Sequence, residues 1–104
     1  MVQFEEASSI VPIAAVQNPF NLLQTGSAEI VAWCESKSVA FIPYSPLGAG
    51  KSLDPSQPCR GITVTPQEAL KWLLDYSAIV LPITGTSSIV HLMENLQSDG
   101  YLKR

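Results

Sequence analysis

The stretch Val39-Ala40-Phe41-Ile42-Pro43-Tyr44 is a nearly continuous apolar run that stops at the turn residues Ser45-Pro46-Leu47-Gly48. Two other runs of this kind occur in the chain, and runs rich in Val and Ile are typical of parallel strands covered on both faces. The predicted strands are Ile10–Val16, Val39–Tyr44 and Ala78–Ile83. Pro43 and Pro82 weaken two of these predictions, because proline cannot donate to a hydrogen-bond ladder.

Helix signals alternate with the strands. The segment Ser27–Lys37 has a capping serine, an acid in its first turn and a base in its last. Thr65-Pro66-Gln67-Glu68 combines a capping threonine, a proline at the first helical position and a capping-box glutamate. Further helices are predicted over 87–98 or 88–98 and, before the first strand, at Phe4–Ser9. The order α-β-α-β-α-β-α predicts an α/β fold with a parallel sheet.

Composition limits the class of protein. The 104 residues are 46% hydrophobic and 14% charged, with a net charge of −3, which suits one packed domain over residues 1–104. An acidic balance without a Lys/Arg cluster argues against nucleic-acid and anionic-membrane partners. Met1–Glu6 lacks the features of a signal peptide, and no apolar run reaches membrane-spanning length. Cys34 and Cys59 lack CxxC spacing, so we expect a cytoplasmic protein with Cys34 buried.

Polar turns follow each predicted strand: Gln17-Asn18-Pro19, then Tyr44 to Gly48, then Thr84-Gly85-Thr86-Ser87-Ser88. In parallel α/β proteins these turns meet at one edge of the sheet, where ligands bind. The glycine and hydroxyls of the third turn, at a helix N-terminus, suit a phosphate group. Ordinary capping of the helix by Ser87 or Ser88 explains the same residues equally well.

The helix after the third turn is amphipathic. His91, Glu94, Asn95 and Ser98 fall on its polar side, and its apolar residues are Ile89, Leu92, Met93 and Leu96. The polar side is either a solvated face or part of a binding site. Because His91 is the only histidine, a multi-histidine metal site is excluded.

Taken together, these motifs resemble those of the aldo-keto reductases. The resemblance covers roughly Phe4 to Tyr101, with the motifs in the order of the family. It implies that the chain is a partial TIM (β/α)8 barrel, about three C-terminal βα units with a preceding helix. It also implies binding of NADP(H), with NAD as the alternative.

The resemblance assigns a role to each candidate site residue. Gln17 corresponds to the partner of the nicotinamide carboxamide, and Tyr44 to the aromatic ring that stacks on the nicotinamide. The remaining residues are implied to hold the phosphates and the adenosine: Ser45, Pro46, Leu47 and Gly48 at the pyrophosphate; Gly85, Thr86 and Ser87 at the adenosine phosphate; His91 at the ribose; and Glu94 and Asn95 at the adenine.

The sequence departs from the family at two positions and in one larger respect. Thr84 stands where the family usually has proline, and His91 where many members have arginine or glutamine. In addition, nothing in this chain matches the catalytic tyrosine, lysine, aspartate and histidine of the family. We therefore expect carbonyl reduction by this chain alone to be very slow.

Three functions are compatible with these features. The first is the cofactor-binding C-terminal portion of an oxidoreductase, inactive without its catalytic part. The others are a non-catalytic nucleotide-sensing or interaction module, and a remnant without function. Strands cut from a closed barrel leave apolar edges uncovered, so we also expect self-association or binding to a complementary barrel half.

Overall fold

Two parallel strands and four helices form the part of the chain that the computed structural model describes, which is residues 1–22, 24–44, 46 and 65–97. The elements are α1 (Val2–Ile10), β1 (Ala15–Pro19), α2 (Ala28–Lys37), β2 (Ala40–Tyr44), α3 (Pro66–Tyr76) and α4 (Ile89–Gln97). The predicted α/β class is confirmed. Cys59 and the rest of the segment 47–64 lie outside the described residues.

Strand β1 begins later than predicted. Ile10, the expected first residue of the strand, is the last residue of α1, and the Val11 N–H closes that helix on the Ala7 carbonyl at 3.1 Å. The pairing with β2 is parallel and runs from Ala15 opposite Ala40 to Pro19 opposite Tyr44. Gln17, Asn18 and Pro19 therefore belong to the strand itself, and the prediction that they form a following turn is wrong.

The third predicted strand, Ala78–Ile83, is reduced to one parallel bridge between Val80 and Phe41. The Phe41 N–H donates to the Ile79 carbonyl at 2.9 Å, and the Leu81 N–H donates to the Phe41 carbonyl at 2.8 Å. In a parallel pair, only every second residue of a strand forms hydrogen bonds with a given neighbour. After Phe41, the next residue of β2 that could donate to this segment is therefore residue 43. Because Pro43 has no N–H, the ladder stops after a single bridge.

The core lies between the sheet and α2 and α3. Phe20, Phe41 and Leu73 are completely buried, and the other buried apolar residues around them are Val16, Val31, Trp33, Cys34, Val39 and Val80. Burial of Cys34, as predicted, raises the pKa of its thiol. Desolvation disfavours the thiolate, so Cys34 acts as a small apolar side chain of the core.

Helix α3 has the predicted capping box. The Thr65 hydroxyl accepts the Glu68 N–H at 3.2 Å, and the Glu68 carboxylate accepts the Thr65 N–H at 2.8 Å. The helix buries Ala69, Leu70 and Leu73. Its aromatic residues Tyr76 and Trp72 pack against Phe20 of the core. The rings of Phe20 and Tyr76 are 4.9 Å apart and edge to face, and those of Phe20 and Trp72 are 5.4 Å apart and tilted.

Helices α1 and α4 lie at the periphery, and neither has a buried residue. Helix α1 contains the predicted segment Phe4–Ser9 and touches the core through the ring of Phe4, which lies 6.1 Å from that of Trp33. Helix α4 starts at Ile89, one residue after the later of the two predicted starts, and its expected last residue, Ser98, lies outside the described residues. None of the four described helices has the length and hydropathy that a membrane span needs.

Candidate functional site

Gln17 and Tyr44 lie on the same face of the two-stranded sheet, towards its carboxyl end. Gln17 pairs with Ile42, and Tyr44 follows Ile42 by two positions, which returns the side chain to the same face. The opposite face carries Val16 and Phe41, which are buried in the core. Tyr44 is 51% exposed, and Gln17 is exposed as well. The two residues are offset by about 7 Å along strands that lie about 4.8 Å apart. An amide and an aromatic ring so placed can engage one planar heteroaromatic amide.

The turn 84–88 lies beyond the same edge of the sheet, because the bridge to Phe41 aligns the segment around Val80 parallel to β2. Within this turn the Ser88 N–H donates to the Thr86 hydroxyl at 3.1 Å, and the His91 N–H donates to the Ser88 hydroxyl at 3.4 Å. Ser88 therefore caps α4, as one of the two predicted capping residues. Capping does not account for the turn residues before it, Gly85, Thr86 and Ser87.

Gly85 lies beside open space. A Cβ added at Gly85 would meet no described atom within 4 Å, and its φ is not in the left-handed region. Neither packing nor backbone conformation within the described residues therefore requires glycine at this position. Its neighbours Thr86 and Ser87 are exposed. The turn thus fits a group that must approach the backbone closely, as a phosphate does.

The polar residues of α4 extend the site along the helix. His91 is exposed, whereas Glu94 and Asn95 are half-buried. The three are spaced i, i+3 and i+4, so they lie on one side of the helix. Asn95 Nδ2 donates to the Thr84 hydroxyl at 3.3 Å, which joins α4 to the start of the turn. Thr84, the departure from the expected proline, thereby gains a structural role.

A hydrogen-bonded group at the carboxyl end of β1 was not predicted. Ser27 occupies the N-cap position of α2, as expected, but its side chain accepts no bond from that helix. Its hydroxyl donates instead to the Pro19 carbonyl at 3.0 Å and accepts from Asn18 Nδ2 at 3.4 Å. Ser27 is buried. The local sequence around Ser27 is that of a capping serine. It does not indicate the actual contacts of the side chain, because these are to residues eight and nine positions earlier.

Part of the predicted pyrophosphate segment cannot be placed. Ser45, Leu47 and Gly48 lie outside the described residues, and Pro46 is buried. Among the residues that the structure describes, no cluster of His, Cys, Asp or Glu could hold a metal ion. The described site therefore consists of Gln17 and Tyr44 on the sheet, the turn 84–88, and the polar side of α4.

Comparison with known proteins identifies the family of this fold. The model of the Aldo/keto reductase family matches residues 1–60, more than half of the chain. The chain belongs to the aldo/keto reductase family. It is 38% identical to an uncharacterised oxidoreductase of Schizosaccharomyces pombe and 35% identical to pyridoxine 4-dehydrogenase of Escherichia coli, in each case over 101 residues. These matches cover 92% and 93% of the chain.

Solved aldo-keto reductases have a similar structure. A thermostable aldo-keto reductase in complex with the inhibitor epalrestat matches with a TM-score of 0.74 and 27% identity, over 91% of this chain and 38% of its own. An aldo/keto reductase from Klebsiella pneumoniae in complex with NADP and acetate matches with a TM-score of 0.67 and 28% identity, over 82% of this chain and 33% of its own. The chain spans about a third of the length of the curated relatives it matches, 33% and 35%.

Proposed function

We propose that residues 1–104 form the C-terminal, NADP(H)-binding part of an aldo-keto reductase domain, contributing about three βα units to its barrel. The observation that carries this proposal is the placement of Gln17 and Tyr44 on one exposed face at the carboxyl end of paired parallel strands. The complexes of the Klebsiella pneumoniae aldo-keto reductase with NADP and NADPH support the choice of cofactor.

Each part of the dinucleotide has a counterpart in the chain. Gln17 binds the nicotinamide carboxamide, and the exposed ring of Tyr44 stacks on the nicotinamide. The turn residues Gly85, Thr86 and Ser87 hold the adenosine phosphate, where the open space beside Gly85 admits its oxygens. The polar side of α4 faces the adenosine through His91, Glu94 and Asn95, and Ser45, Pro46, Leu47 and Gly48 line the pyrophosphate.

The residues of this chain bind and orient the cofactor but do not transfer protons to a substrate. A bound NADPH supplies the hydride for carbonyl reduction, and the oxygen of that carbonyl needs a proton donor as negative charge develops on it. None of the residues assigned to the site is an acid positioned for that step. We therefore expect the purified chain to show no carbonyl-dependent loss of NADPH absorbance with an aromatic aldehyde. Turnover proportional to the amount of chain and lost in Tyr44→Ala would contradict this expectation.

The exposed face of the sheet requires a partner. Leu81 and Ile83 follow the bridged Val80 and are exposed, as is Tyr44. Since the relatives are about three times as long as this chain, we propose that the remaining part of a family barrel covers this face and supplies the catalytic residues.

A pair of glycine variants tests the phosphate site. Gly85→Ala should leave the thermal melting temperature within about 2 °C of wild type, because a Cβ meets no described atom there. The same Cβ would obstruct a phosphate, so we expect NADPH affinity, followed by its fluorescence, to fall at least about tenfold, or about 1.4 kcal/mol. Gly26→Ala, which also adds a Cβ in open space, is the matched control and should bind as wild type does.

The outcomes separate the alternatives. Saturable NADPH binding that responds to Gly85→Ala and not to Gly26→Ala supports the cofactor-binding proposal. Saturable binding without any turnover in the presence of a complete complementary half would instead favour a nucleotide-sensing module. Absence of saturable binding, or equal binding by both variants and wild type, would contradict the proposed site and favour a remnant.

A further inference from the structure

Ser27 occupies a position where serine normally caps a helix, yet its hydroxyl is used elsewhere. Helix α2 starts directly after it, and the Val31 N–H donates to the Ser27 carbonyl at 3.0 Å, so the helix is well formed. The side chain turns away from the helix and donates to the Pro19 carbonyl. The Ser27 hydroxyl therefore does not accept a backbone N–H of α2, as a capping serine usually does, and instead bonds to the last residue of β1.

The bond from Ser27 holds the last residue of β1. Pro19 cannot donate a backbone hydrogen bond, so its carbonyl is the one polar backbone group by which this position can be anchored. Asn18 adds a second connection, because its amide nitrogen donates to the Ser27 hydroxyl. Ser27 is only 6% exposed and Pro19 is half-buried, so water would only partly replace this donor at the Pro19 carbonyl if the hydroxyl were removed.

The strand end that Ser27 holds also carries the nicotinamide contacts. Gln17 precedes Asn18 directly, and Pro19 pairs in register with Tyr44. The turn 84–88 is connected differently, since it joins the sheet through the bridge between Val80 and Phe41 and not through β1. A disturbance at Ser27 therefore reaches the nicotinamide end of the site and not the adenosine end.

We infer that Ser27 is a positioning residue for nicotinamide recognition, acting through the hydrogen bonds to Asn18 and Pro19 that fix Gln17 opposite β2. This inference rests on the proposed function, since it assigns Gln17 and Tyr44 to the nicotinamide. It predicts a selective effect, because loss of the Ser27 hydroxyl weakens recognition of the nicotinamide half of the cofactor and leaves recognition of the adenosine half intact.

The test compares two ligands on the full chain. NADPH has both halves of the cofactor, whereas adenosine 2′,5′-bisphosphate has only the adenosine half. We expect Ser27→Ala to weaken NADPH binding roughly tenfold, while the dissociation constant of the bisphosphate changes less than about twofold. Ser27→Thr retains a hydroxyl and should restore most of the NADPH affinity. Asn18→Ala removes only the second connection and should give a smaller loss in the same direction.

The results distinguish this inference from the proposal beneath it. Wild-type chain that binds neither ligand would overturn the proposed function and this inference with it. Wild-type chain that binds both, together with a Ser27→Ala variant that loses both affinities equally or neither, would overturn the role of Ser27 alone. If Ser27→Ala does not fold, as judged by its melting curve, Asn18→Ala decides, and an unchanged ratio of the two affinities would reject the inference.

Discussion

At the scale of single residues, Glu68 shows how one side chain fixes the start of a helix. The Thr65 N–H and hydroxyl donate to its carboxylate at 2.8 and 3.0 Å, and these bonds lower the pKa of Glu68. Because the folded pKa lies below the unfolded one, the stabilisation is complete above the unfolded value of about 4.3. It is lost as the pH falls through the lower folded value.

This contribution can be measured through the pH dependence of stability. Between about pH 6 and pH 3 the melting temperature of the wild-type chain should fall more steeply than that of Glu68→Gln, whose side chain does not titrate. The exposed Glu6→Gln on α1 provides the control and should follow the wild-type curve. Parallel curves for wild type and Glu68→Gln would contradict a role for the ionised carboxylate in the cap.

At the scale of elements, the helices could be predicted and the strands only in part. Helix starts depend on local patterns, so Thr65–Glu68 indicated α3 correctly, and the start of α4 at Ile89 lies within two residues of the predicted Ser87 or Ser88. An apolar run does not indicate which of its residues will pair. Ile10 therefore joined α1 instead of the first strand, and β1 extends to Pro19. The third predicted strand forms only one bridge to β2, because Pro43 of β2 has no N–H to continue the ladder.

The candidate site is formed by residues from different strands and helices, and local sequence patterns do not indicate which of these residues come together. That Gln17 and Tyr44 share a face follows from the register of β1 and β2, which no local pattern specifies. The contact of Asn95 with Thr84 and that of Ser27 with Pro19 connect residues eleven and eight positions apart. Their residue types fit local capping and turn roles equally well, so only the structure reveals their partners.

At the scale of the whole molecule, apolar surface remains uncovered within the described part of the chain. Ile83 is 67% exposed, and on α4 Ile89 is 80% exposed. Large apolar residues that are exposed on neighbouring segments of a chain are typical of surfaces for association. The helix after the third turn was predicted to be amphipathic, and its apolar residues face no buried environment among the described residues.

This surface predicts that the 104-residue chain self-associates when no complementary part of the barrel is present. Sedimentation velocity should show concentration-dependent species larger than the monomer. Ile83→Lys should shift the distribution towards monomer, because a charge on this surface opposes its burial. Leu74→Lys, which places the same charge on a residue of α3 that is 41% exposed, is the matched control and should behave as wild type does. A monodisperse wild-type monomer with cooperative melting would contradict this prediction.

The central claim is that these residues bind a nicotinamide dinucleotide at the carboxyl end of the strands. Calorimetric titration of NADPH into the chain, with and without adenosine 2′,5′-bisphosphate as competitor, tests it most directly. Our account predicts saturable binding of one NADPH per chain and its displacement by the bisphosphate. Absence of saturable binding, or binding that the bisphosphate does not affect, would contradict it.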